Sequence, residues 1–181
     1  MIKSYKWLLL SFFILCIAVI VPTNVLANYS IGLDVGWNLI SLPSQPSETA
    51  ITAVTSSIQG KFNSIWSYQT GNWSLYQPGN RAQSDLATME SGKGYWIHMT
   101  AAGTLDSTDA PTTAITTIPL SQGWNLVGFG NLGPAEIKTA LASIEGRYLS
   151  VWAFINNQWT LYDPNNPSFS DLTVISPGAG Y

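Results

Sequence analysis

The hydrophobic pattern of residues 36–42, GWNLISL, predicts the first core strand of the chain. Trp37 and Leu39 would lie on one face of an extended segment, and two aliphatic side chains would lie on the other. A strand that is apolar on both faces is usually central in its sheet. The glycine before Trp37 suits a tight turn that needs a positive φ. We therefore expect a strand at residues 30–33, a turn, and then a central strand.

After this strand, the spacing of apolar residues changes from that of a strand to that of a helix. From Ile51, aliphatic side chains recur at i, i+3 and i+7, which is the spacing of one helix face, and Gly60 stands where glycine commonly ends a helix. Residues 62–76 alternate again around a Thr-Gly-Asn turn, which predicts a β-hairpin. A glycine-rich turn leads to a further alternating strand at residues 95–99. The pattern predicts a sheet with one short helix packed on it.

The same order of elements returns once. Trp124 follows Trp37 by 87 residues, and from the predicted helix onward the matching residues stand 86 apart. The matches cover every predicted element: Ile58 with Ile144, Gly60 with Gly146, Trp66 with Trp152, Trp73 with Trp159, Tyr76 with Tyr162, Asp85 with Asp171, and Gly94-Tyr95 with Gly180-Tyr181. We predict a mainly β (β-rich α+β) fold of two tandem antiparallel-sheet repeats, each with one short helix packed on the sheet.

The repeats set the expected domain boundaries. Residues 28–110 would form repeat 1 and residues 111–181 would form repeat 2, truncated at its C-terminal end because the strand at 95–99 has no equivalent after Tyr181. Either a partner chain completes repeat 2, or the sequence is a fragment of a longer reading frame. An unfilled core with an open sheet edge favours aggregation, so we favour the fragment.

Residues 1–27 have the pattern of a signal peptide. Lys3 and Lys6 precede an apolar run, and Ala27 ends a small-x-small cleavage motif. The alternative is an uncleaved anchor, but Pro22 interrupts the run and favours cleavage. Cys16, the single cysteine, lies in this segment, so the exported chain would have no thiol chemistry. We expect a secreted or cell-surface protein that contacts the membrane only through this segment.

Charge narrows the range of partners. Beyond residue 27 the chain has ten carboxylates against five Lys and Arg residues. Binding to phosphates needs clustered cations, so we expect no nucleic acid partner. Apolar residues make up 46% of the chain and aromatic residues 12%, which indicates a packed core rather than a disordered chain.

Few residues have the pattern of a reaction centre. His98 is the single histidine, which argues against Ser-His-Asp triads and His-rich zinc sites. Asp85 and Asp171 are equivalent carboxylates, but each follows a serine at a predicted helical turn, where a capping role is favoured over acid–base catalysis. Asp163, Asn165, Asn166 and Asp171 could offer oxygen ligands to calcium from one loop, and a solvated loop is the favoured interpretation. We therefore predict no enzyme activity, metal or cofactor.

Aromatic residues are the abundant resource. Stacking on sugar rings uses flat aromatic faces beside amide and hydroxyl groups, and the returning hairpin strands offer speculative ligand-binding residues: Trp73, Tyr76, Trp159 and Tyr162. On each of these strands Tyr lies on the face opposite to Trp, and we expect Tyr76 and Tyr162 to be the exposed members. Large aromatic side chains also fill small cores. A core role is expected for Trp37, Trp66, Trp124 and Trp152.

The combination of GWNLISLP, a helix, SIWSYQTGNWSLYQP and SDLATMESGKGYWIHM over residues 30–181 resembles a tandem repeat of bacterial secreted and cell-surface proteins. The resemblance implies an accessory surface module with no catalytic residues to transfer, whose partners are other modules of the same longer chain. We expect a non-catalytic structural or adhesive module of a larger bacterial cell-surface protein. The alternative is a carbohydrate-binding accessory module of an extracellular enzyme, with extracellular polysaccharide or cell-surface components as its partner.

Overall fold

The computed structural model describes residues 29–107 and 117–181. The predicted signal peptide at residues 1–27 and the predicted boundary between residues 110 and 111 lie outside these ranges. Within them the fold is mainly β, with antiparallel pairing throughout and two short α-helices, so the predicted fold class is confirmed. No helix in the two described ranges is long and apolar enough to cross a membrane.

Repeat 1 is built around a four-stranded sheet. Its elements within the described residues are β1 (Tyr29–Leu33), β2 (Gly36–Ser41), α1 (Ile51–Val54), β3 (Phe62–Gln69), β4 (Asn72–Tyr76), β5 (Gly94–Met99) and β6 (Gly103–Ser107). The sheet has the order β2-β5-β3-β4, and β1 pairs with β6 as a separate ribbon. Ile51 and Val54 of α1 are buried in one core with Ile65 and Ile97 from the sheet. Gly60, with φ at 77°, follows the helical region as predicted.

The position of β2 differs from the prediction. The inner strands are β5 and β3, while β2 lies at the edge of the sheet, so its predicted central position is wrong. Leu39 and Ile40 are nevertheless both buried, on opposite faces of β2. Residues of repeat 2 bridge the other edge of β2 at Ile40 and Ala179. The first core covers the Ile40 face of β2, and residues of the second repeat lie against Leu39 on the other.

Repeat 2 keeps the hairpin and the short helix, whereas residues 123–128, the equivalents of β2 where a second copy of that strand was expected, form only isolated bridges. Its described elements are β7 (Ala135–Glu136), α2 (Ile137–Ala140), β8 (Val151–Ile155), β9 (Gln158–Tyr162) and β10 (Val174–Ile175). The hairpin β8-β9 keeps the register of β3-β4, since Val151 pairs with Tyr162 as Ile65 pairs with Tyr76. Its core gathers around Ile137, Ala153 and Tyr162. The duplication seen in the sequence is therefore also a duplication of local structure.

The two repeats are joined by backbone hydrogen bonds that occur in equivalent pairs. The bonds are Ser41 N to Gly178 O (2.9 Å) with Gly128 N to Gly92 O (3.1 Å), and Gly180 N to Leu39 O (3.2 Å) with Gly94 N to Leu126 O (3.1 Å). Each pair exchanges the roles of the repeats, which is the signature of an isologous contact about a two-fold axis. The repeats thus form one interlocked unit with local pseudo-two-fold symmetry.

Close approach at this junction requires small residues. A Cβ on Gly94 would lie 2.9 Å from Leu126 Cγ, and a Cβ on the equivalent Gly180 would lie 2.7 Å from Ile40 O. Gly128 and Ser41 face each other directly, so a Cβ at Gly128 would overlap that of Ser41. Ser41 Oγ donates to Ala179 O at 2.7 Å. The axis therefore has room for one side chain at this pair of positions.

Equivalent tyrosines brace the loops before the junction. Tyr95 Oη accepts a hydrogen bond from Glu90 N at 2.7 Å, and Tyr181 Oη accepts one from Ser176 N at 2.7 Å. Burial raises the pKa of both Tyr95 and Tyr181 above the ordinary value, because the phenolate would lose its hydration. The folded state therefore favours the neutral phenols.

We expect this burial to make stability fall at alkaline pH. The contribution of the neutral phenols is fully present below about pH 10, the pKa of an unfolded tyrosine, and is lost as pH rises through the higher pKa of the folded state. Urea midpoints measured from pH 8 to pH 11 should decline steeply for the wild type and less steeply for Tyr95→Phe/Tyr181→Phe. Equal slopes would contradict this assignment.

Candidate functional site

Six of the seven tryptophans in the described residues lie on the outer face of the two sheets, opposite to the cores, and Trp124 is exposed outside any strand. Trp66 pairs with both Trp96 and Leu75, and Trp37 pairs with His98. Directly paired residues of an antiparallel ladder point to the same face, while Ile65 and Ile97 beside them point into the core. We call this surface the tryptophan face: Trp37, Trp66, Trp73, Trp96, Trp152 and Trp159.

The expected core role of four tryptophans is wrong. Trp37 is 43% exposed and Trp124 is 71% exposed. Trp66 and Trp152 are half-buried and belong to neither core cluster. The cores are filled from the inner face by aliphatic residues and tyrosine. The repetition of tryptophan therefore marks the repetition of a surface.

Each hairpin carries the same aromatic trio. In repeat 1 the rings of Trp66 and Trp73 have centroids 6.3 Å apart at an interplanar angle of 82°, and Tyr68 packs on Trp73 at 5.1 Å. The trio of repeat 2 is Trp152, Phe154 and Trp159, with Trp152–Trp159 at 6.1 Å and 82°. Edge-to-face contacts of this kind hold aromatic rings in fixed orientations. The trios are therefore rigid features of the surface.

The second trio continues into repeat 1 across the junction. Trp96 on β5 lies 5.4 Å from Phe154 and 5.6 Å from Trp159, measured between ring centroids. On its other side Trp96 meets Trp37 at 6.2 Å, and Trp37 packs on His98 at 4.7 Å. An unbroken series of aromatic rings thus crosses from one repeat to the other. Sequence reasoning assigned no surface role to Trp96 or Phe154, although their alternation with buried Ile97 and Ala153 carried the signal.

The four speculative ligand-binding residues divide between the two faces. Trp73 and Trp159 are 53% and 55% exposed, on the tryptophan face. Tyr162 is 6% exposed in the second core, and Tyr76 packs on the first core beside Phe62. The expectation that Tyr76 and Tyr162 are the exposed members is therefore wrong. The strand alternation was assigned correctly, but the core covers the tyrosine side of it.

The tryptophan face has no formal charge along its strands. None of β2, β3, β4, β5, β8 or β9 contains Asp, Glu, Lys or Arg. His98, paired with Trp37, supplies a polar group on this face, whereas Gln69, Asn72 and Gln158 alternate to the opposite side of their strands. A groove of about 200 Å³ opens beside Trp37, between β2 and the tip of the β8-β9 hairpin. The surface is suited to an uncharged partner.

The titratable candidates have structural partners. His98 Nδ1 lies 3.0 Å from Asn63 Oδ1, and its ring packs on Trp37. Asp85 accepts a hydrogen bond from Leu75 N at 2.6 Å, and Asp171 accepts one from Leu161 N at 2.6 Å. The predicted helical turns after Ser84 and Ser170 are absent from the described residues, and these carboxylates instead tie a loop to β4 and β9. Both carboxylates are therefore engaged in hydrogen bonds to the backbone of these strands.

The loop proposed for calcium is held by its own hydrogen bonds. Asp163 accepts from Asn166 Nδ2 at 2.9 Å and from Asn165 N at 2.8 Å. The hydrogen bond from Asn166 lowers the pKa of the Asp163 carboxyl below its usual value. Among the described residues there is no cluster of three or more His, Cys, Asp or Glu side chains suited to a metal ion.

These observations leave the tryptophan face as the candidate site. Its rings are exposed, and their arrangement repeats in both halves of the chain. Comparison with protein-family models, with curated proteins and with solved structures found no match.

Proposed function

We propose that the chain is a non-catalytic adhesive module of a secreted or cell-surface protein, and that its tryptophan face binds neutral polysaccharide. The observation that carries the proposal is the unbroken aromatic series, from Trp37 through Trp96 to Trp159, on strands without charge. Exposed aromatic patches on folded proteins commonly mark binding surfaces. Sugar rings present apolar C–H faces that stack on aromatic rings, which matches this surface.

The absence of charged side chains on these strands favours neutral glycans over charged ones. A polyanionic glycan needs cationic side chains for affinity, as phosphate chains do. The one ion pair within the described residues, Lys93 to Glu90 at 3.1 Å, lies beside β5 in the loop before it. The proposal therefore favours neutral glycans over uronic-acid or sulfated polymers.

The orientation of the rings favours single polysaccharide chains over crystalline polysaccharide. Neighbouring rings are inclined by 82° in each hairpin and by 62° between Trp96 and Trp159. A flat crystalline ligand would need coplanar rings, whereas a single flexible chain can present its sugars at different angles. We therefore propose single polysaccharide chains as the ligand, bound by this module either alone or beside an extracellular enzyme.

We expect Trp73→Ala and Trp159→Ala each to weaken binding to a neutral soluble polysaccharide. One lost stacking contact should cost about 1.4 kcal/mol, or roughly a tenfold rise in Kd. Affinity electrophoresis in gels containing β-glucan, xylan or mannan, followed by isothermal titration, measures the change. Circular dichroism of each variant checks the fold.

The matched control is Phe169→Ser, which removes an exposed aromatic side chain of a 3₁₀ turn that is outside the aromatic series. It should bind as the wild type does. Wild-type binding by both tryptophan variants, or no retardation in any neutral glycan gel, would contradict the proposed function.

A further inference from the structure

The groove beside Trp37 lies where three parts of the chain meet. Its lining residues come from β1, β2 and the turn between them, from the tip of the β8-β9 hairpin, and from residues 178–179. Its volume of about 200 Å³ is below the roughly 300–1,000 Å³ of pockets that hold drug-sized ligands. The groove therefore suits a ligand of about one ring.

Each of the three parts is held in place. Asp34 N donates to Asn38 Oδ1 at 3.0 Å, and Asn38 Nδ2 donates to Asp34 O at 2.8 Å, which fixes the turn between β1 and β2. A backbone hydrogen bond of 2.9 Å ties Gly178 to β2. In the hairpin, Phe154 packs on Trp96 with ring centroids 5.4 Å apart. The groove is therefore pre-formed, which lowers the entropic cost of binding a ligand.

Two polar side chains of the groove are free to bind a ligand. The side-chain-mediated hydrogen bonds of Asp34 within the described residues use its backbone and leave its exposed carboxylate unused. Asn156 is exposed at the tip of the hairpin, and its amide bonds to no other described residue. A carboxylate accepts hydrogen bonds from hydroxyls, and an amide both donates and accepts. Beside the half-exposed ring of Trp37, these groups match the hydroxyls and the apolar face of a sugar.

The equivalent position across the pseudo-two-fold axis has a different chemistry. There Gln69 Nε2 donates to Leu126 O at 3.4 Å, whereas apolar Ile155 takes the place of Gln69 at the groove. Ser121 and Thr70 stand at the positions of the carboxylate and the amide. The fold of a repeat therefore does not require these two polar groups, because the other repeat does without them.

We propose that the groove is a subsite for one neutral pyranose residue, with Trp37 as its stacking surface and Asp34 and Asn156 as its hydrogen-bonding residues. The proposal rests on the proposed function, because this sugar belongs to the polysaccharide chain on the tryptophan face. The groove adjoins Trp37, where the aromatic series starts. Asp34 gives the subsite its selectivity, since a carboxylate accepts hydrogen bonds from sugar hydroxyls and repels the carboxylate of a uronic acid.

The test titrates the wild-type chain with methyl β-glucoside, methyl β-xyloside, methyl β-galactoside and methyl α-mannoside, followed by two-dimensional NMR. We expect at least one of these sugars to shift the signals of the Trp37 indole and the Asn156 amide to saturation. Asp34→Ala and Asn156→Gly should each raise its Kd about tenfold, as expected for one lost hydrogen bond. Asp34→Ala keeps the backbone bonds to Asn38, and glycine accepts the positive φ of Asn156.

The matched controls are Ser121→Ala and Asn157→Gly. Ser121 is the equivalent of Asp34, and Asn157 has a positive φ like its neighbour Asn156 but does not line the groove. Both variants should bind the glycoside as the wild type does. Charge selectivity gives a readout that a purely structural role would not change. Methyl β-glucuronide should bind the wild type at least tenfold more weakly than the best neutral glycoside, and Asp34→Asn should reduce this ratio.

Gels containing neutral polysaccharide separate the subsite from the proposed function. If the wild type is retarded in such a gel but no methyl glycoside shifts the Trp37 signal, the subsite is wrong and the proposed function stands. The same holds if Asp34→Ala and Asn156→Gly bind the glycosides as the wild type does, or if Asp34→Asn leaves the charge selectivity unchanged. If no neutral polysaccharide retards the wild type and no glycoside binds, both proposals are wrong.

Discussion

Gly128→Ala is expected to lower the free energy of unfolding by about 3 kcal/mol or more, the upper range for overpacking a close contact. Gly128 has no positive φ, so alanine fits its backbone and would otherwise stabilise the chain slightly. The added Cβ would overlap Ser41 Cβ, and it would lie 2.8 Å from Ser41 Oγ and 2.9 Å from Lys93 O. None of these groups can move freely, because the bridges on either side hold both backbones.

Urea denaturation measures the effect, and Gly133→Ala is its control. Gly133 also lacks a positive φ, and a Cβ there would meet nothing within 4 Å. The control should change the midpoint little. If both alanine variants had the same small effect, the close approach of the repeats at Gly128 would be wrong.

Removing the same side chain from the same position in each repeat should have unequal effects. Ile58→Ala empties a site that is fully buried in the closed first core, and it should cost about 2–5 kcal/mol. Ile144 is only partly buried. Ile144→Ala should therefore cost less than half as much, because folding removes less of the apolar surface of this side chain from water. Chemical denaturation of the two variants under identical conditions gives the comparison.

The matched design removes helix propensity as an explanation. Both isoleucines end a 3₁₀ turn of three residues that follows the α-helix, Ser56–Ile58 in repeat 1 and Ala142–Ile144 in repeat 2. Any difference therefore reports burial. Equal costs for the two substitutions would show that the second core is as closed as the first.

Local patterning predicted the duplication and the strands of repeat 1, but residues 124–129, predicted as the equivalent of β2, form only isolated bridges. Period-two alternation placed both hairpins, and the helical spacing from Ile51 placed the short helix. Position within the sheet was not encoded locally, because β2 gains its second buried face from residues far along the chain. Ser41 and Ala179, which share a hydrogen bond, lie 138 positions apart. The spacing of apolar residues along the chain reports local structure, so it does not predict contacts between residues that are this far apart in the sequence.

The candidate site could likewise be predicted only in part from local patterning. Alternation separated Trp73 from Tyr76 correctly, but both are large aromatic residues, and the pattern does not show which face a core will cover. In the structure the tyrosines pack beside aliphatic residues of the two cores, and the tryptophans stay on the surface. The series through Trp96 and Phe154 also required the junction, which brings the two repeats together.

The central claim is that the repeats interlock about a pseudo-two-fold axis, with Ser41 and Gly128 at equivalent positions on it. The most direct test is the unfolding free energy of Ser41→Gly/Gly128→Ser beside the two single variants. The exchange moves the serine across the axis, where its hydroxyl faces Lys93 O, the equivalent of Ala179 O. We predict stability within about 1 kcal/mol of wild type for the double variant, against a loss of about 3 kcal/mol for Gly128→Ser alone. If the losses of the two single variants simply add, the proposed symmetry is contradicted.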